Sequence, residues 1–293
     1  MTAHHPLRGV LSFMAGLFLF ACLDTTIKYL SARYQVPAII AVRYLVNLAL
    51  MTALLARTHG REMVVIRRPA WVLGRALALC LASISMGLAL QRMPVAETSA
   101  ILFFAPVVVI LAAGPLLGER VGAIGYLAAA LGFVGVLFIV RPGGGLDPLG
   151  IGFAAMGMLA TSAYQLLSRH LASSETTLAL LFYTALTGTV VFGLAAPWFI
   201  SDRAPSGLEI LLFLSLGVYG GLGHFLFTAA YRETAASVLA SMNYMQLLFV
   251  GLLGWLVFAH VPDALSLTGM AIIALSGVIA AARSRRPPVK RTV

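Results

Sequence analysis

The chain has 293 residues, of which 60% are hydrophobic and only 10% charged, with a mean hydropathy of +0.97 and a formal net charge of +10. A soluble domain carries about a quarter charged residues, so a water-soluble globular protein is excluded. The nucleic-acid reading that so basic a soluble chain would invite falls with it, because the basic residues stand mainly between apolar runs, as in membrane-protein loops.

A helix that crosses a bilayer needs about 20 mostly apolar residues. On that ruler ten spans follow one another, at 7–31, 37–57, 70–91, 96–117, 122–140, 148–169, 177–200, 207–231, 235–258 and 264–283. Span one is too long for a signal-peptide core and carries Asp24 and Lys28 near its end, so it is read as a membrane helix. The longest connection is the basic loop from Thr58 to Pro69. Pro106, in mid-span four, removes a backbone hydrogen bond. Gly114 and Gly118, Gly118 and Gly122, and Gly217 and Gly221 are small-xxx-small pairs that bring helix backbones together. They are expected to pack within one half of the molecule, with a dimer contact as the alternative; monomer and homodimer both fit. Span eight also holds Gly220 and Gly223, a thin wall or a hinge. Cys22 and Cys80 lie inside spans and are expected to pack, not to pair. The tail 284–293 is basic and polar.

Thirteen Lys and Arg residues fall on the side of the N-terminus, among them Arg57, Arg61, Arg67, Arg68, Arg169 and the tail residues. Four (Arg33, Arg92, Arg141 and Arg203) fall on the other. That asymmetry places both termini in the cytoplasm. The chain also reads as two copies of one pattern: Arg92 and Ala96 recur as Arg232 and Ala236, each pair heading a long apolar run that closes in a turn before another span. Five spans per half is an odd number, so the halves insert with opposite orientations, as in many secondary transporters. The expected fold is therefore an all-α integral membrane protein of ten transmembrane helices in two inverted five-helix repeats. The first covers 1–143 and the second 144–283, with the tail beyond.

Charged groups at membrane depth are costly unless paired or hydrated, which makes them site candidates. Asp24 and Lys28 are spaced i,i+4, as are Arg43 and Asn47. Asp24, Lys28 and Arg43 are expected to form a gating or ion-pair network towards the outer end, the alternative being a local Asp24–Lys28 pair with Lys28 reaching for the interface. Arg75 is expected to do the same at the cytoplasmic end of span three, and Glu97 to complement the start of span four. Nearer mid-membrane, Ser83, Phe103, Tyr164, His224, Asn243 and Tyr244 bring together hydroxyl, ring and amide groups suited to a zwitterionic or aromatic solute. No HExxH, GxSxG, Walker A or metal-ligand cluster is present, so no catalytic residue, metal site or cofactor is expected.

The stretch Met93-Pro-Val-Ala-Glu-Thr-Ser-Ala-Ile-Leu-Phe-Phe-Ala-Pro106, with Leu117-Gly-Glu-Arg120 and Gly132 to Gly143, resembles the first EamA domain of the drug/metabolite transporter superfamily. Ala230-Tyr-Arg-Glu-Thr-Ala-Ala-Ser-Val-Leu-Ala with Asn243-Tyr244, Trp255 and Phe258-Ala-His-Val-Pro-Asp263 resembles the second. One departure stands out: the second closing turn carries His260 where the family usually has a glutamate, as the first has at Glu119. The resemblance implies a bacterial inner-membrane permease with a cavity built mainly from spans one, three, four, six, eight and nine. It also implies that a small-molecule substrate, commonly an amino acid, is exported by alternating access. Efflux of cationic drugs, transport of a nucleoside-like or S-adenosyl metabolite, and a non-transporting membrane scaffold or sensor are the competing readings.

Overall fold

The computed structural model describes residues 6–105, 107–109, 112, 123–140, 145–171, 174–200, 203–233 and 245–283. Among them every regular element is helical: α1 (Pro6–Ser31), α2 (Val36–Val64), α3 (Pro69–Arg92), α4 (Val95–Leu102), α5 (Ala123–Val140), α6 (Pro148–Leu171), α7 (Thr177–Ala195), α8 (Gly207–Glu233), α9 (Met245–Phe258) and α10 (Ala264–Arg283), with a 3-10 turn at Ala196–Trp198. Six of these helices are long and apolar enough to cross a membrane, and four apolar stretches are shorter. Pro106, Gly114, Gly118, Glu119, Gly122, Asn243, Tyr244 and the tail lie outside the described residues.

The helix starts are written in short polar signals. Asp147 Oδ1 accepts from Leu149 N–H (2.8 Å) at the start of α6, and Asp263 Oδ1 accepts from Ser266 N–H (2.8 Å) at α10. Thr176 caps α7 by accepting from Ala179 N–H. Ser206 and Glu209 form a reciprocal capping box on α8, each side chain accepting from the other's backbone N–H. Prolines stand at the first turn of α2, α3 and α6, where a missing N–H costs nothing. One boundary differs from expectation: α2 continues past residue 57 to Val64, with a kink at His59 (φ −129°, ψ 16°). The basic loop thus shrinks to Val65–Arg68, because the polar stretch after 57 stays helical, its backbone bonding internally.

The packing crosses between the two halves. α1 lies on α8 and α9, α3 on α6 and α7, α2 on α7 and α8, α4 on α6 and α9, and α5 on α10. Exchanging α1–α5 for α6–α10 turns α1·α8 into α6·α3, α2·α8 into α7·α3, and α1·α9 into α6·α4. It leaves α2·α7, α4·α9 and α5·α10 unchanged. This is the two-repeat membrane fold, interdigitated and not merely apposed. Large apolar side chains such as Leu54, Trp71, Leu159 and Leu194 remain exposed, which suits a lipid-facing surface whose backbone is satisfied inside helices.

Close approach between halves depends on missing side chains. A Cβ on Gly217 would stand 2.5 Å from Val46 Cβ and 2.8 Å from the Asn47 nitrogen, and one on Gly221 would stand 2.7 Å from Asn47 Oδ1. The Gly217/Gly221 pair therefore packs α8 on α2, across the halves and not within one. Gly135 and Gly269 meet reciprocally between α5 and α10. Gly223 faces Phe20 of α1, whereas a Cβ on Gly220 would meet nothing within 4 Å. The cluster lies within the unbroken helix Gly207–Glu233.

These contacts predict opposite outcomes for neighbouring positions. Gly217→Ala should lower the thermal midpoint in detergent, the overpacking costing about 1–3 kcal/mol, while Gly220→Ala should leave it within error. An equal fall for both would contradict the assigned faces.

Candidate functional site

Arg75, Leu79 and Ser83 are spaced i, i+4, i+8 and share one face of α3. Arg75 does not reach for the membrane surface as expected; it is 4% exposed. Its Nε donates to Ser168 Oγ (2.7 Å), Nη1 to Leu180 O (3.0 Å) and Thr184 Oγ1 (2.9 Å), and Nη2 to Tyr164 OH (2.8 Å). Its guanidinium carbon also lies 4.4 Å from the Tyr164 ring centroid. Ser168 and Thr184 each donate their own proton back to the carbonyl four residues earlier, a habit of helical hydroxyls. That leaves both oxygens turned towards Arg75 as acceptors. The residue stays inside because α6 and α7 pack over this face of α3.

Two turns along α3, Ser83 accepts from Arg43 Nη2 (2.6 Å), lies 2.9 Å from Tyr44 OH, and donates to Leu79 O (2.7 Å). Arg43 also stacks over the Tyr44 ring at 4.5 Å. Between these two arginine centres is a cavity of about 50 Å³ lined by Arg43, Tyr44, Asn47, Leu79, Tyr164, Leu181, Thr184, Gly220 and His224. The His224 ring packs edge-on to Phe20, 4.8 Å between centroids. A water occupies about 30 Å³ of liquid, and solute pockets run to about 300–1,000 Å³. The space therefore holds a water or two and opens to a solute only if the helices move. A wider cleft of about 570 Å³ lies on the loops at the other end of α2, among Arg61, Glu62, Arg67 and Glu175, away from the polar residues at membrane depth.

Towards the ends of α1 and α3 the bundle is laced shut. Lys28 Nζ donates to Leu90 O (2.9 Å) and Met93 O (2.6 Å), a cation at the carbonyl end of α3, and lies 5.6 Å from the Phe258 ring. Arg33 and Arg203 pair with Glu209 at 3.1 and 3.3 Å, and Tyr34 OH donates to the same carboxylate. Arg92 pairs with Asp147 at 2.8 Å; that guanidinium and the Leu149 N–H hold the Asp147 carboxyl below the usual carboxylate range. Glu97, 3% exposed and in the first turn of α4, bonds His260 Nε2 through Oε1 at 3.0 Å, and its Oε2 is buried without a partner. The left-handed Ala259 (φ 53°) after α9 immediately precedes His260.

The expected Asp24–Lys28–Arg43 network does not form among the described residues. Lys28 is taken by the α3 carbonyls, and Asp24 lies within electrostatic reach of Arg43 without an ion-pair contact. Of the candidates read from sequence, Tyr164 and His224 line the cavity. Ser83 stands behind it, through Arg43 and Tyr44, and Phe103 lies in the main apolar core. The described lining comes from α2, α3, α6, α7 and α8, so helices two and seven contribute where the resemblance implied one, four and nine. Thr184 and the inward role of Arg75 were missed; extending the Ser83 face of α3 by two turns would have reached Arg75.

The geometry at Glu97 makes a sharp test of the departure at 260. His260→Glu would set a second carboxylate about 3 Å from a buried one, and like charges so close are strongly unfavourable. It should lower the thermal midpoint more than His260→Gln does, most of all at alkaline pH; equal midpoints for the two variants would show that the contact carries no electrostatic weight.

The profile of the EamA-like transporter family matches residues 7–141 and again 148–282. A riboflavin transporter of Vibrio cholerae is 27% identical over 93% of this chain and 92% of its own length. The pseudopaline exporter CntI of Pseudomonas aeruginosa is 27% identical over 95% and 97%, and an S-adenosylmethionine uptake transporter of Rickettsia felis is 23% identical over 91% and 90%. One solved crystal structure covers 96% of the chain and 98% of its own, with a TM-score of 0.68 at 22% identity, a likeness of fold.

Proposed function

Because this chain belongs to the EamA-like transporter family, and is thus a multi-pass membrane transporter and not an enzyme, we propose that it exports amino acids or related small metabolites by alternating access. The observation that carries this reading is the cavity between the halves, where guanidinium, hydroxyl, amide and imidazole groups converge. Such a set offers partners to both ends of a zwitterion, where a lipid or a bare cation would leave most of them unmatched. The enclosed volume and the laced end fit one state of a cycle in which the halves rock about a central site. The repeats divide at 143/144, and both termini face the cytoplasm of a bacterial inner membrane. The relatives named for S-adenosylmethionine support a second reading, a nucleoside-like solute in the same cavity.

Efflux from proteoliposomes loaded with radiolabelled amino acids tests the proposal. Wild-type protein should release at least one amino acid faster than empty liposomes, and Gly220→Phe, which fills the cavity from an unobstructed position, should cut that rate about tenfold or more while the protein stays monodisperse. If no amino acid moves, with or without a pH gradient, amino-acid export is rejected.

A further inference from the structure

We infer that the transported solute carries an acidic group, a carboxylate or a phosphate monoester, and that Arg43 is the residue that recognises it. The inference rests on the transport reading and narrows it to a substrate class. Its basis is the contrast between the buried Arg75 and the half-buried Arg43. Arg75 has four of its five N–H groups committed to protein acceptors on α6 and α7, as a structural cation should. Arg43 lines the cavity, yet its one hydrogen bond to protein among the described residues is to Ser83. Among the described residues its remaining donors meet no hydrogen-bond acceptor, and a guanidinium fork matches the geometry of a carboxylate or phosphate.

The charge balance runs the same way. Two guanidinium groups flank the cavity, and among the described residues the one carboxylate near them is Asp24, which reaches Arg43 electrostatically without touching it. A positive excess therefore exists before any solute enters, and a solute cation would be repelled by it. The remaining polar lining, Tyr44, Asn47, Tyr164, Thr184 and His224, offers hydrogen bonds and no negative charge. On the cavity side Gly220 puts no side chain into the space that Arg43 lines.

Matched probes differing only in the acid decide the matter. Proteoliposome efflux is measured for L-phenylalanine against L-phenylalaninamide and for AMP against adenosine, with succinate added, in wild type, Arg43→Gln and Arg43→Lys. In at least one pair the acid should move at least tenfold faster than its acid-free partner. Arg43→Gln should slow it by roughly ten- to a hundredfold, the loss of a charge-assisted contact, and Arg43→Lys should retain more. Phenylalanine moving while AMP does not identifies a carboxylate; the reverse identifies a phosphate. AMP or succinate moving while no amino acid moves leaves the inference standing and removes the amino-acid reading. Phenylalanine and its amide moving equally, with AMP no faster than adenosine, does the opposite. Equal rates within both pairs, no flux of any acid, or a folded Arg43→Gln protein of unchanged rate overturns the inference. The wild-type pairs remain decisive if that variant fails to fold.

Discussion

A guanidinium inside a membrane bundle must find its acceptors on neighbouring helices, since no bulk water is there to supply them. Arg75 meets that demand with Ser168 and Tyr164 from α6 and Leu180 and Thr184 from α7. Every one of these partners belongs to the other half of the chain. The contact therefore does more than satisfy a charge: it fixes α3 against α6 and α7 and presents Tyr164 and Thr184 to the cavity. Because the two hydroxyl acceptors are already oriented by bonds to their own helices, little freedom remains to be lost when Arg75 engages them. The polar cavity wall follows from this one buried charge.

The laced end is built differently. Arg92 and Asp147 pair with both side chains partly exposed, where water weakens the attraction, and Arg33 and Arg203 reach the enclosed Glu209 carboxylate from substantially exposed positions. Lys28 and the Glu97–His260 contact are more enclosed, but each rests on one or two hydrogen bonds. Opening this end thus breaks several weak contacts, whereas pulling α3 from α6 would strand a buried guanidinium at a cost of several kcal/mol. Rocking that keeps α3, α6 and α7 together and separates the lacing at the ends of α1, α4 and α9 is the less costly path. The difference to be supplied is a few kcal/mol, the scale on which a solute's differential affinity shifts a two-state equilibrium.

Length and hydropathy placed the helices well: the span read at 148–169 is α6 at Pro148–Leu171, and that read at 264–283 is α10. The odd number of spans per half carried the inverted arrangement, because orientation parity is a property of the chain alone. Side-chain partners were less legible because they depend on which helix face meets which. The i,i+4 spacing of Asp24 and Lys28 permits a pair, but two carbonyls at the end of α3 offer Lys28 better geometry, and nothing local in α1 announces them. Arg75 was judged by its depth in span three, when its fate was decided by residues about 90 to 110 positions away. Tyr164 and His224, which line the cavity, stood out in the sequence because a polar ring in a span is conspicuous wherever its neighbours lie.

Relatives of similar fold carry the names of riboflavin, pseudopaline and S-adenosylmethionine transport, so the scaffold does not choose the solute; a few lining residues must. If Arg43 recognises the solute, as proposed, close packing holds that choice in place. Gly217 and Gly221 let α8 rest directly on Val46 and Asn47 of α2. Arg43, one turn earlier on the same helix, is held in a fixed relation to that contact. On an adjacent face of α8, Gly220 leaves the space into which Arg43 and Asn47 look. Glycines four apart lock one face of the helix while a glycine between them opens the next. A charged side chain carried on a locked helix and facing an open wall is the condition for selective recognition, since its geometry is set before the solute arrives.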